Sequence, residues 1–321
     1  MSKKNDILTD FFSRAQIFAE LFNGSLYEGR QVIKSEQLAE IQNFYNEPIQ
    51  ERYGKKKQVE RRRDVARALF RENGVVILAV ELQDSENYIM PIRCAEYDLL
   101  ELLKQIRKLK EKYKRNGGLK TKAEFLSGIK EEDRIIPVIT LVLNHGKKRW
   151  NTHRSIKDML DLSGTDEELK ELILDHEIKV INLVDLDENH FQTGLRELVG
   201  LMKRSEDKAQ MYAYYQENRM RFEELDETTF DVICTVLNLK PMLKKKENFR
   251  EEKGGKLDMC KAFEDLMADC RMEGRTKGVQ EGEERLGRLI TLLLSDGRTK
   301  EVKTAASNVV TRRKLYKEYG L

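Results

Sequence analysis

The chain is 321 residues long, which exceeds one average domain and predicts a main domain with an appendage. Charged residues make up 36% of it, against roughly 25% in typical soluble chains, yet a hydrophobic fraction of 40% suffices for a core and excludes wholesale disorder. Lys and Arg total 59 and Asp and Glu total 56, so the formal net charge of +3 creates no global attraction for nucleic acid. Any anion-binding site must therefore be local.

Cysteine and histidine spacing excludes several kinds of site. The four cysteines form no CxxC pair, which argues against zinc ribbons and a disulfide framework and favours a reducing compartment. The four histidines show no HExxH-like spacing, which disfavours a histidine metal site. No run approaches the roughly 18 apolar residues that span a bilayer, so we expect a cytoplasmic protein without a membrane partner.

The first sixty residues predict a helix followed by a polar segment. Apolar residues recur at helical spacing up to Phe22, and Asn23-Gly24 follows as a stop. From Ser35 to Arg63 the sequence turns polar, and its block from Lys55 to Arg63 holds six basic residues and one Glu. This segment predicts a loop or an insertion.

Asn73-Gly74 is the strongest signal for a two-residue β-hairpin loop in the chain. The arm that follows, Val75 to Val80, is an unbroken apolar run rich in β-branched residues. Because this arm is apolar at both odd and even positions, we expect it inside a sheet that is covered on both faces.

Helical and strand patterns alternate beyond the hairpin. The predicted elements are a helix over 88–113, a strand over 135–143, a short helix over 156–162, a strand over 179–184 and a helix over 191–202. This order predicts an α/β core with a mixed sheet and flanking helices in residues 1–205.

Residues 206–321 carry no strand signal and predict an all-helical region, with a connecting helix and a small helical tail. Two predicted helices, over 286–294 and 303–319, could form a unit like a helix-turn-helix. The alternative is a helical tail for protein interaction or for formation of a homo-oligomer.

The hairpin register places three polar side chains together. With Asn73-Gly74 as the loop, Asp64 lies directly across from Gln83 and diagonally across from Glu81. All three side chains then share one face. Opposed side chains have Cβ atoms about 5 Å apart and diagonal ones about 7 to 8 Å, which lets two carboxylates bind one cation. The alternative is that Asp64 and Glu81 simply end a strand at the solvent.

A cluster of oxygen ligands suits Mg²⁺ or Mn²⁺, which keep several waters and are usually completed by substrate phosphate. Such a cation can lower the pKa of the attacking water and neutralise charge on a phosphoryl group. Phosphodiester hydrolysis is therefore the reaction that this cluster indicates.

The pattern of acids resembles the PD-(D/E)XK nuclease superfamily, with an acid on a first helix, Asp on one hairpin arm and Glu-x-Gln on the other. Within it the chain is similar to the recombination-promoting nuclease family, also described as YhgA-like putative transposases. The stretches that carry this similarity are Phe18–Asn23, Arg63–Val65, Glu81–Gln83, Tyr88–Arg93, Glu124–Gly128 and Ile136–Leu141. The resemblance covers roughly Asp6 to Lys203 and implies a restriction-endonuclease-like sheet.

The resemblance implies a role for each matching residue. Asp64 and Glu81 would be metal ligands, Gln83 would occupy the position of the motif's lysine, and Glu20 would be a supporting acid. The amide of Gln83 can position a water molecule by hydrogen bonding, but it supplies none of the positive charge of an ammonium group.

The basic stretches are candidate DNA contacts, since phosphate contacts position nucleic acid without reading its sequence. The candidates are Lys55, Lys56, Lys57, Arg61, Arg62, Lys147, Lys148 and Arg149, joined by Arg93 and Tyr97 at i and i+4 on the helix after the hairpin. The alternative for all of them is an ordinary solvated surface.

The function that the resemblance implies is a Mg²⁺- or Mn²⁺-dependent DNA endonuclease, linked to recombination and mobile elements and associated with the nucleoid. A non-catalytic DNA-binding or scaffolding protein that retains the nuclease fold is the alternative from another class. A toxin-like or RNA-directed nuclease would share the same site residues.

Overall fold

A computed structural model of the chain describes residues 3–42, 44–50, 56–251 and 255–321. Its strands are β1 (Leu38–Glu40), β2 (Phe44–Gln50), β3 (Lys56–Arg62), β4 (Val65–Arg71), β5 (Gly74–Gln83), β6 (Val138–Asn144) and β7 (Lys179–Asn182). Its helices are α1 (Lys3–Ser13), α2 (Ala15–Leu26), α3 (Met90–Asn116), α4 (Lys122–Ser127), α5 (Glu167–Leu172), α6 (Leu195–Lys203), α7 (Lys208–Glu217), α8 (Arg219–Glu223), α9 (Glu227–Val236), α10 (Lys240–Lys244), α11 (Met259–Ser295), α12 (Thr299–Ser307) and α13 (Val309–Glu318).

The core of the fold is a five-stranded mixed sheet in the order β1-β4-β5-β6-β7. The first three strands pair antiparallel, and β5, β6 and β7 pair in parallel. β5 lies in the middle, and its residues from Ile77 to Leu82 are all buried, because an apolar run on both parities fits a strand that is covered on both faces. The predicted α/β class and the predicted place of this arm are confirmed.

The polar segment 35–63, predicted as a loop or an insertion, contains three strands. β1 adds an edge strand to the sheet beside β4, and β2 pairs with β3 in a separate two-stranded antiparallel ribbon. The ribbon sequence Lys56–Arg62 is almost entirely polar, so it lacks the apolar alternation from which strands are recognised.

Helix boundaries also differ from the prediction in three places. The first predicted helix is two helices, because Arg14 adopts extended backbone angles between α1 and α2. The short helix predicted over 156–162 is only a 3₁₀ turn at Lys157–Met159. The helix predicted over 303–319 is interrupted at Asn308, whose side chain accepts a hydrogen bond from the Thr311 amide and caps α13.

The β4–β5 hairpin forms, but each residue of β4 pairs with a β5 residue two positions earlier than predicted. Arg71 pairs with Gly74 and Val65 with Val80, so Glu72 and Asn73 form the loop. A type I′ loop at Asn73-Gly74 requires a positive φ at both residues. Of the two, only Gly74 has a positive φ, at +145°. Because side chains alternate between faces, this shift of two residues moves no residue to the other face.

The chain divides into two compact units, Met1–Cys260 and Lys261–Leu321. The predicted boundary after residue 205 falls inside the first unit, because α7 and α9 pack on α6 and α9 also packs on α1. The second unit has a small core of Leu289, Leu293, Ala305 and Leu315. Within the described residues, no helix is long and apolar enough to cross a membrane.

Candidate active site

Asp64 and Glu81 lie opposite each other at the open end of the hairpin. Val65 and Val80 are the last paired residues of β4 and β5, and the next pair outward along the same register is Asp64 with Glu81. The Leu82 amide donates a 2.8 Å hydrogen bond to Asp64 Oδ2, which holds this carboxylate against the end of β5. The predicted pairing of Asp64 with Gln83 is wrong, because the register, continued past Val65 and Val80, sets Asp64 opposite Glu81.

Glu81 is fully buried, with 0% of its surface exposed. Its Oε2 accepts a 3.1 Å hydrogen bond from Arg93 Nη2 on α3. Its Oε1 is buried and has no hydrogen-bond partner among the described residues. Burial, followed by repulsion from Asp64, raises the pKa of Glu81 to about 8, although Arg93 and Arg63 act in the opposite direction.

An unpartnered buried carboxylate oxygen is costly, since each such group forfeits its hydration without a compensating bond. A divalent cation between Asp64 and Glu81 would offset both this cost and the repulsion between the two acids. The described residues contain no group of three or more His, Cys, Asp or Glu side chains able to hold a metal. Two carboxylates nevertheless fit Mg²⁺ or Mn²⁺, which take one or two protein carboxylates and complete their shell with water and substrate phosphate.

A layer of buried charge lies behind the two acids. Arg63 has no exposed side-chain surface; its guanidinium donates to Asp98 at 2.5 Å and to Thr140 at 2.7 Å. The ring centroid of Tyr97 is 5.5 Å from the guanidinium carbon of Arg63 and 5.6 Å from that of Arg93. The place of Arg63 in this layer was missed, because helical periodicity cannot show which residue of α3 a neighbouring segment will contact.

Tyr97 is only 6% exposed, which leaves little of its surface for the predicted contact with DNA phosphate. Its ring belongs to the protein core, where burial is the largest factor that raises the pKa of its hydroxyl. Arg93, in contrast, is partly exposed and keeps access to a ligand, with 28% of its side-chain surface exposed.

The first helix borders the site. Asn5 Nδ2 lies 3.4 Å from Asp64 Oδ1, and Lys4 forms a 2.9 Å ion pair with Asp84, just after β5. Asp6 and Asp10 of the same helix share with Asp64 a cleft of about 400 Å³. The i, i+4 spacing of Asp6 and Asp10 was a visible signal for an acidic helix face.

Gln83 also lies near Asn5. It is half-buried and lines a cleft of about 280 Å³ with Lys4, Asn5 and His145. Its Nε2 donates a 2.7 Å hydrogen bond to the carbonyl oxygen of Leu82. His145 is buried, and this burial together with Lys4 lowers its pKa to about 4, so the imidazole is neutral at pH 7.

Glu20 does not join this cluster through any hydrogen bond or ion pair among the described residues. Its carboxylate accepts hydrogen bonds from the Gln192 amide at 3.2 Å, from the Thr193 amide at 3.1 Å and from Thr193 Oγ1 at 2.7 Å. These donors lie just before α6, so Glu20 fastens α2 to the beginning of that helix. These contacts satisfy the carboxylate of Glu20 at the beginning of α6, and its role as a supporting acid at the metal site stays a prediction.

The predicted DNA contacts fall into three groups. Arg62 is exposed and borders the cleft beside Asp64, and Lys147, Lys148 and Arg149 are exposed after β6, where Arg149 pairs with Asp185 at 2.7 Å. Lys56, Lys57 and Arg61 are on β3, and their side chains are outside the described part of the structure. Lys55 lies outside the described residues altogether.

A sequence model of the family described as "Putative transposase, YhgA-like" matches residues 120–230. This segment includes β6, β7 and α6 but begins after the hairpin, so the match supports the predicted family resemblance without covering Asp64, Glu81 or Gln83. Comparisons with curated proteins and with solved structures gave no match.

Proposed function

We propose that this protein is a metal-dependent nuclease that hydrolyses phosphodiester bonds in DNA. The observation that carries the proposal is the buried Glu81 Oε1, which has no hydrogen-bond partner among the described residues and lies beside a second carboxylate. The match to YhgA-like putative transposases supports a setting in recombination or DNA mobility. The metal, the substrate and the activity are all part of the proposal.

In this proposal Asp64 and Glu81 would hold Mg²⁺ or Mn²⁺. When bound, such a cation would lower the pKa of the attacking water and neutralise charge on the phosphoryl oxygens. The amide of Gln83, which lies two residues beyond Glu81 on the same face of β5, accepts a hydrogen bond from this water and orients it. The contacts of Asp64 with the Leu82 amide and with Asn5 keep its carboxylate in place.

The reaction is a hydrolysis and needs no other co-reactant. The water oxygen forms a bond to phosphorus while the bond from phosphorus to the leaving sugar oxygen breaks with its electron pair. The water releases one proton to solvent, and the leaving oxygen takes one proton up. Arg62 and the exposed basic residues after β6 attract the phosphate backbone, so binding weakens as the salt concentration rises.

A plasmid nicking assay with Mg²⁺ or Mn²⁺ tests the proposal. The parent should convert supercoiled plasmid to nicked circles, and Asp64→Asn should lower the rate by at least about 10³-fold, because half of the ligand pair loses its charge. Asp161→Asn is the matched control, because Asp161 is an exposed loop residue outside the hairpin. This variant should nick plasmid at the parent rate. Equal rates for the parent and Asp64→Asn would remove Asp64 from the mechanism.

A DNA-binding protein without cleavage is the second candidate, and the neutral Gln83 at the motif's lysine position is the observation that favours it. This candidate predicts salt-sensitive binding of the parent to duplex DNA and no nicking with any divalent ion. Electrophoretic mobility shifts measured beside the nicking assay separate the two candidates.

A further inference from the structure

The candidate site lacks a positive charge at the position where the motif has a lysine. Gln83 is neutral, and its amide nitrogen is already bonded to the Leu82 carbonyl at 2.7 Å. In phosphoryl transfer, charge develops on the oxygens around phosphorus, and a cationic side chain aimed at them stabilises the transition state. If the site cleaves DNA, another residue must provide this charge.

Two arginines are close enough to Glu81 to affect its pKa, and they differ in what holds them. Arg63 is completely buried and is fixed by Asp98 and Thr140. Its guanidinium therefore cannot move toward a ligand that arrives from solvent without breaking buried hydrogen bonds, which is strongly unfavourable.

Arg93 is held in a way that leaves it available. Its side chain is 28% exposed, and its ion pair with Glu81 runs through one terminal nitrogen, Nη2, at 3.1 Å. The guanidinium carbon lies 5.6 Å from the centroid of the Tyr97 ring, which restrains the group laterally. A guanidinium is a planar fork of donors that matches phosphate geometry, so Arg93 can contact Glu81 and a phosphoryl oxygen together or exchange one for the other.

We propose that Arg93 is the catalytic cation of this site: its guanidinium contacts a non-bridging oxygen of the scissile phosphate and replaces the charge that Gln83 lacks. This inference rests on the proposed nuclease function. In the absence of substrate, Arg93 donates a hydrogen bond to Glu81 Oε2, and it thereby competes with a divalent cation for this carboxyl group. Substrate phosphate gives the guanidinium a second anion to contact, so the ion pair with Glu81 can loosen as the metal binds.

The first test moves the charge from one residue to another. Arg93→Met should lower the plasmid nicking rate by about 10²–10³-fold, the typical effect of removing one donor to a transition-state oxyanion. Gln83→Lys placed in the Arg93→Met chain should recover at least about tenfold of this loss, because the ammonium restores the missing charge. Arg115→Met is the matched control. Arg115 is an exposed arginine on the same helix and, among the described residues, forms an ion pair only with Glu111. The Arg115→Met variant should nick plasmid at the parent rate.

The second test does not depend on turnover. Calorimetric titration with Mn²⁺ should show tighter binding to Arg93→Met than to the parent, by about tenfold, because the arginine no longer competes for Glu81. Thermal unfolding of each variant, with Arg93→Lys as a charge-retaining second variant, identifies any loss of fold.

The outcomes separate the inference from the function on which it rests. No nicking by the parent under any divalent ion overturns the nuclease function, and the inference with it. A cleaving parent with an equally active Arg93→Met, or with no recovery in the double variant, overturns the role of Arg93 alone. Weaker Mn²⁺ binding by a folded Arg93→Met would also overturn it, since Arg93 would then be supporting the ligands rather than competing with the metal.

Discussion

Two buried glutamates of the first unit have opposite surroundings. Glu20, at 4% exposure, receives hydrogen bonds from two backbone amides and one hydroxyl just before α6. Glu81, at 0% exposure, receives one ion pair from Arg93, faces a second acid, and has one oxygen without a partner among the described residues. Burial of an acid is therefore no sign of function by itself; the difference lies in whether the protein alone satisfies the carboxylate.

Glu81→Gln should sharpen this comparison by stabilising the metal-free protein. The pKa of Glu81 in the folded state is raised to about 8 from an ordinary value of 4.5. The contribution of this group to the free energy of unfolding is therefore complete below pH 4.5 and declines as the pH rises toward 8. At pH 7 this effect should lower the free energy of unfolding of the parent by about 3 kcal/mol, whereas the amide of Glu81→Gln does not titrate and shows no such decrease.

Urea denaturation in EDTA at pH 4.5 and at pH 7 measures this effect. The difference in free energy of unfolding between Glu81→Gln and the parent should grow by about 3 kcal/mol from the lower pH to the higher. Because the same pair of proteins is compared at both pH values, the packing effect of the amide largely cancels. A pH-independent difference would mean that Glu81 is ionised in the metal-free fold.

Glu20→Gln should lower the free energy of unfolding, by less than Glu81→Gln raises it at pH 7. The amide keeps one acceptor oxygen but turns a donor toward the donors before α6, so we expect a loss of about 2 kcal/mol, typical of a hydrogen bond to a charged group. The same urea experiment at pH 7 measures the loss. Metal-dependent nicking by the folded variant should remain at the parent level, and a fall of tenfold or more would return Glu20 to the catalytic site.

The sequence predicted the central hairpin because a run that is apolar at both odd and even positions fits few other places in a sheet. It also predicted that the two acids are neighbours, because a register shift of two residues leaves every side chain on the same face. It misplaced the loop, since Asn73-Gly74 is compatible with more than one turn. It missed the ribbon β2–β3, which has no apolar alternation. The contacts of Arg93 with Glu81 and of Glu20 with Thr193 could not be predicted. Each depends on the direction of individual side chains from different elements, and the apolar periodicity of a sequence does not show this direction.

The most direct measurement of the central claim is a calorimetric titration of the full chain with Mn²⁺ at neutral pH, run in parallel on Glu81→Gln and Glu20→Gln. We predict that the parent and Glu20→Gln bind one ion with similar affinity and that Glu81→Gln loses this site or binds at least about 100-fold more weakly. No binding by the parent, or equal binding by the parent and Glu81→Gln, would contradict the assignment of a metal to the mouth of the hairpin.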